Sequence, residues 1–141
     1  FVFRQYASNK YQVWTNNQVA GSGSRFMSDN GSSTVIGLSR ILDTSKGEKS
    51  PSGASECIFS SDNRAECESF ISWLNTKFTR FFVACNISKL TGILTNDYFR
   101  FVPAPPSGKF DHIYTDQELY EAFNLPQKYI DIIESVIKER K

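Results

Sequence analysis

Long apolar runs are missing from this 141-residue chain, and none approaches the roughly 18 residues that a membrane-spanning helix needs. A soluble protein without a membrane partner is expected. Cysteine is scarce: Cys57, Cys67 and Cys85 are an odd count with no Cys-x-x-Cys pair. That pattern suggests neither a disulfide framework nor a zinc site, and a reducing cytoplasm suits it. Histidine occurs once, at His112, beside Asp111 in a stretch broken by proline and glycine. No nucleophile or substrate-binding group is supplied near it by spacing, so it makes a poor general base. The Gly21-Ser22-Gly23-Ser24 run lacks both the trailing Gly-Lys-Ser/Thr of a phosphate loop and the third glycine of a dinucleotide turn. Asp111, Asp116 and Glu118 read as turn and cap residues, which leaves a small metal-dependent nuclease as the less favoured alternative. An initiator methionine and a signal peptide are also lacking, so the chain is expected to be a fragment of a longer protein, folding as one domain over residues 1–141.

What is present is an ordinary globular composition, with 40% hydrophobic and 22% charged residues. The net charge of +1 is unevenly spread. Over residues 1–53 the bases Arg4, Lys10, Arg25, Arg40, Lys46 and Lys49 face only Asp29, Asp43 and Glu48. A locally basic face of this kind can meet the dense phosphate charge of duplex DNA, although the same count also fits an ordinary solvated surface.

Residues 1–14 alternate loosely in apolar and aromatic character around a polar Ser8-Asn9-Lys10 turn, which predicts a hairpin. Asn, Ser and Gly then dominate residues 15–33, the composition of an exposed loop. Strands are expected over 34–42, 56–60 and 98–102, with a polar loop over 43–55; residues 86–97 carry no clear pattern. Between 63 and 85 apolar residues recur with a helical period from Cys67 to Cys85, predicting one continuous helix, opened by a capping box of Asn63 and Glu66. Prolines at 103, 105 and 106 start a linker that runs to residue 113. A second capping box, Thr115 with Glu118, begins a short helix to about 123, and Pro126 opens a last one with the stripe Tyr129, Ile130, Ile133, Val136 and Ile137. The expected class is α+β: an N-terminal sheet packed on one long amphipathic helix, with a C-terminal helical pair.

From Ser55 to Val102-Pro103 the chain resembles the C-terminal region of bacterial restriction–modification proteins that carry an adenine-specific DNA methyltransferase. The likeness rests on Thr76-Lys77-Phe78-Thr79-Arg80-Phe81 at the end of the capped helix, and on the aromatic Tyr98-Phe99-Arg100-Phe101-Val102-Pro103. It continues in Tyr114-Thr115-Asp116-Gln117-Glu118-Leu119-Tyr120 and in the terminal Ile133-Glu134-Ser135. About the last 90 residues are covered in order, and the first 50 match loosely. The Asp/Asn-Pro-Pro-Tyr/Phe signature shared by such methyltransferases does not occur here. The resemblance therefore implies a non-catalytic target-recognition region with no cofactor of its own. Double-stranded DNA would be its partner, beside the methyltransferase or nuclease portion of a parent that binds S-adenosylmethionine elsewhere.

Polar loops on a rigid scaffold are where side chains reach base edges, and this makes Asn16, Asn17, Gln18, Ser24, Arg25, Lys46 and Lys49 the candidate DNA contacts. On a helical projection Trp73, Lys77, Arg80 and Ala84 border the apolar face. Lys77 is a candidate phosphate donor or a cover for the core edge, while Arg80, set among phenylalanines, reads as architectural. Lys89, the single base between residues 86 and 96, completes the set. A protein–protein docking module is the alternative, and it would expose an apolar patch.

Overall fold

A computed structural model describes residues 1, 3–4, 9–16, 18–19, 36, 39–49, 55–86, 92–93 and 99–137. It is an α+β arrangement built on a three-stranded antiparallel sheet of β1 (Tyr11–Asn16), β3 (Ser39–Asp43) and β4 (Ser55–Ser61), in the order β3-β1-β4. A separate two-residue ladder joins β2 (Gln18–Val19) to β5 (Gly92–Ile93). Four described helices follow β4: α1 (Arg64–Leu74), α2 (Lys77–Asn86), α3 (Asp116–Ala122) and α4 (Gln127–Val136).

The central place of β1 corrects the expected N-terminal hairpin. Both of its edges are occupied, by β3 along Tyr11–Thr15 and by β4 along its whole length, and a strand has only two edges to pair. Arg4 instead donates its backbone N–H to Ile58 O on β4 at 3.1 Å. The β1–β4 register shifts between Val13 and Trp14, which pair with Phe59 and Cys57 and skip Ile58. This bulge breaks the two-residue alternation, so that Ile58 and Phe59 are both buried. Of the strand expected over 34–42, residues 39–42 lie in β3 and Ile36 is buried, while residues 34, 35, 37 and 38 fall outside the described residues.

The predicted single helix over 63–85 is two helices, separated at Asn75 and Thr76. Thr76 makes the break. Its hydroxyl donates to Trp73 O at 2.7 Å and accepts from Thr79 N at 3.1 Å, closing one helix and capping the next. Asp116 adds a second cap from outside, its carboxylate accepting Phe78 N at 2.8 Å. Arg80, 1% exposed, turns back to donate Nε to the Asn75 and Thr76 carbonyls at 3.1 and 3.3 Å; the Asn75 carbonyl is the acceptor that the break releases, since Thr79 N goes to the Thr76 hydroxyl.

Packing follows from these breaks. α1 lies across the sheet and touches all three strands, while α3 and α4 both rest on α2. Phe59 from β4 stacks on Phe70 of α1 with ring centroids 4.3 Å apart. Phe110 closes over them, 5.3 Å from each ring and 5.6 Å from Trp73. Phe59 and Phe70, fully buried in this way, each stabilise the fold by about 1.5–3 kcal/mol.

Three further expectations are corrected. The strand over 98–102 is, from Phe99 on, a turn closed by Val102 N to Phe99 O at 3.0 Å; the i, i+3 spacing buries Phe99 and Val102 and leaves Phe101 out. Asn63 does cap α1, accepting Ala65 N at 2.9 Å, but Glu66 does not return the bond, because its carboxylate pairs with Arg4. Thr115 likewise caps α3 through Glu118 N at 3.2 Å, while the Glu118 side chain goes to His112. Asn124, at φ 48°, supplies the left-handed residue between α3 and α4, with Leu125 N reaching back to Tyr120 O at 2.9 Å.

Candidate functional site

Two of the nine candidate contacts lie on the sheet framework at one end. Asn16 ends β1 and pairs with Ser55; Gln18 pairs with Ile93 of β5. Asn17 between them, and Ser24, Arg25 and Lys89, fall outside the described residues. The β2–β5 ladder is the feature that sequence reasoning missed. Two residues per strand leave no periodic signal, yet the ladder pairs Gln18 and Val19, after β1, with Ile93 and Gly92, after α2.

Lys46 and Lys49 stand at the opposite end. Tyr11, the first residue of β1, pairs with Asp43, and the chain turns there through a short 3-10 helix, Thr44–Lys46. At about 3.4 Å per strand residue, this turn and Asn16 are roughly 17 Å apart. The turn is rigidly built. Asp43 accepts Ser45 N at 3.0 Å and Ser45 Oγ at 2.6 Å, and Thr44 N donates to Lys10 O at 2.9 Å. Glu48 takes the Asp43 N–H at 2.8 Å. Gly47, at φ 69°, turns the chain in the left-handed region, where other side chains are strained. The bond from Ser45 holds the Asp43 carboxyl below the usual range. Both acidic groups of the turn thus serve its backbone, and among the described residues the exposed Lys46 and Lys49 make no ion pair.

Lys77 belongs to neither end. At the start of α2 it donates to Glu134 of α4 at 3.0 Å, with its side chain 18% exposed. Trp73, which borders it on the projection, is wholly buried. Arg80 is committed to the helix break, as its architectural reading implies.

A second constellation surrounds the pair of Arg4 and Glu66. Arg4 also donates Nε to Ser60 O at 3.1 Å and lays its guanidinium 4.1 Å over the Phe59 ring. Clefts open on both sides: a polar one of about 440 Å³ along Asn9, Ser60, Asp62 and Asn63, and one of about 470 Å³ walled by Phe59, Pro105, Lys109, Phe110 and Asp111. At the rim of the second, His112 places Nδ1 at 2.7 Å from Asp111 and Nε2 at 2.5 Å from Glu118. Cys67, behind the Arg4 wall, is buried, and burial pushes its thiol up to about 11, so it is a poor nucleophile. Among the described residues no cluster of three or more His, Cys, Asp or Glu side chains is arranged to hold a metal ion, and no helix is long and apolar enough to cross a membrane.

No protein-family model, no curated protein and no solved structure matches the chain.

Proposed function

We propose that this chain is the DNA target-recognition domain of a bacterial restriction–modification methyltransferase or restriction enzyme, working in the cytoplasm. Its task is sequence-specific binding of duplex DNA, and the reacting residues and S-adenosylmethionine belong to another part of the parent. The observation that carries this reading is the β2–β5 ladder. It pairs Gln18–Val19, just beyond Asn16 of β1, with Gly92–Ile93 beyond α2, at one end of a sheet on which α1 packs. Side chains held so can read base edges. The Lys46 and Lys49 turn, roughly 17 Å away by strand rise, contacts phosphates and fixes register without reading sequence.

The test is binding of a labelled random duplex at low salt, followed by enrichment of bound sequences from a random pool. Binding weakens as salt rises, and replacing Lys46 and Lys49 together by Gln flattens the logarithmic salt slope by about 2. Replacing Asn16 and Gln18 by Ala leaves that slope and changes which sequences are enriched. Absence of duplex binding at low salt, or a bound pool no different from the input, overturns the proposal.

One observation favours a second reading. Tyr129 and Ile132, one turn apart on α4, are 46% and 45% exposed, the kind of apolar surface that docking to another part of a restriction–modification assembly would use.

A further inference from the structure

We infer that His112 is a proton-operated clamp, fastening the segment between residues 103 and 115 to α3 when charged and releasing it when neutral. The geometry around the ring supports this. Nδ1 stands 2.7 Å from Asp111 Oδ1 and Nε2 stands 2.5 Å from Glu118 Oε2. A neutral imidazole carries one N–H and can serve one of these carboxylates; its other nitrogen then turns a lone pair towards the second. Only the imidazolium donates to both.

Each packed element contributes a known group. Asp111 faces the ring from the segment itself, with Lys109 as the nearest further charge on Asp111. Glu118 faces it from the first turn of α3. The Tyr114 ring lies 4.1 Å from the imidazole. From α1 comes only an uncharged contact, the Ser69 hydroxyl donating to the His112 carbonyl at 2.5 Å. The hydrogen bonds to Asp111, first, and to Glu118 raise the imidazole above its ordinary 6.5, against a smaller opposing effect of burial. Asp111 is held low in turn, chiefly by the same bond to His112. With 45% of the side chain exposed, the proton comes and goes freely from solvent.

Release acts on one side of the clamp. When His112 loses its proton, Glu118 keeps the favourable field of the α3 N-terminus, where its own N–H is capped by Thr115. The segment loses its tie to α3 and is left with its anchors on α1 and the core, the Ser69 bond to the His112 carbonyl and the packing of Phe110. It carries Pro105, Lys109, Phe110 and Asp111, one wall of the 470 Å³ cleft, so the charge on one imidazole adds to the hold that Phe110 packing gives that wall. The inference stands whether or not the chain binds DNA.

The experiment is an NMR titration of the full 141-residue chain, following the His112 ring nitrogens and the amide exchange of residues 109–113. The ring midpoint lies above 6.5. Asp111→Asn and Glu118→Gln each lower it, and the double replacement returns it to that of an unperturbed histidine, about 6.5. Amide exchange over 109–113, corrected for its intrinsic pH dependence, slows as His112 gains its proton, and in His112→Gln this dependence is lost. A midpoint at or below 6.5, a midpoint unmoved by both carboxylate replacements, or a pH dependence of exchange that survives in His112→Gln overturns the clamp. The carboxylate variants keep the test decisive should His112→Gln fail to fold.

Discussion

Tyr120 of α3 donates its hydroxyl to Glu134 of α4 at 2.7 Å, and the second oxygen of the same carboxylate receives Lys77 of α2 at 3.0 Å. One carboxylate thus ties three helices together, beside the Asp116 cap that already joins α3 to α2. Tyr120 is 5% exposed, so its hydroxyl has little access to water as a replacement partner.

Removing the bond from either end has different costs. Tyr120→Phe takes away donor and need together and destabilises by about 1 kcal/mol, whereas Glu134→Ala strands a buried hydroxyl and costs about 1–3 kcal/mol. Lys77→Met costs less than either, since Glu134 is 43% exposed and solvent screens the ion pair. Burial pushes the Glu134 carboxyl up, but the bonds from Tyr120 and Lys77 outweigh it and hold the group below its usual value of 4.5. A group depressed in the folded state contributes stability that is present above its unfolded value and is lost as pH falls through the folded one. Acid therefore erodes this contribution below about 4.5. Denaturant midpoints at pH 7 and across the range from 5 to 3 check both the order of the variants and the loss in acid, which Glu134→Gln should lack.

Asn63 and Glu66 separate two explanations of the start of α1. Asn63→Ala removes an N-cap and costs about 1 kcal/mol, while Asn63→Asp is near neutral. Glu66→Gln would be harmless in a reciprocal capping box, since glutamine fills that role as well as glutamate. Here it breaks the pair with Arg4 and is destabilising, and it shows strong non-additivity with Arg4→Gln in a double-mutant cycle. Additive effects would mean that Glu66 acts within α1 alone.

Thr76→Ala removes the hydroxyl that closes α1 and caps α2, and it costs about 1–2 kcal/mol. Thr76→Ser keeps both bonds and costs less than half as much. If alanine here were stabilising, the break would be a passive consequence of packing, because alanine has the higher helix propensity. Chemical denaturation of the three proteins distinguishes the outcomes.

Arg80 shows how local reading can reach a correct role without its mechanism. Its place among phenylalanines marks it as architectural, and it is buried; the Asn75 carbonyl that it satisfies is an open acceptor only because the helix breaks there. The break itself was hidden by phase. Phe70, Leu74, Phe78 and Phe81 keep a helical period straight through Asn75 and Thr76, so the apolar pattern cannot register a two-residue interruption. Thr76 followed three residues later by Thr79 was the one available sign, and a threonine inside a strong apolar stripe is easily read as a tolerated guest. The candidate contacts divide similarly: composition marked the polar segments, but only the pairings placed Asn16 and Gln18 at one end of β1 and Lys46 and Lys49 at the other.

The amino-acid sequence alone determined what depends on near neighbours. The α+β class, the strand around Ile58 and Phe59, the caps at Asn63 and Thr115 and the turn chemistry after Asp43 all arise from residues within a few positions of each other, whose periods and short bonds the chain carries with it. Tertiary structure decided where the longer-reaching charges go. A carboxylate at Glu66 or Glu118 can serve its own helix or a cation outside it, and the choice falls to Arg4, 62 residues away, and to His112 in the linker before α3, because a charged partner in a partly buried place binds more strongly than a backbone N–H at an open helix end.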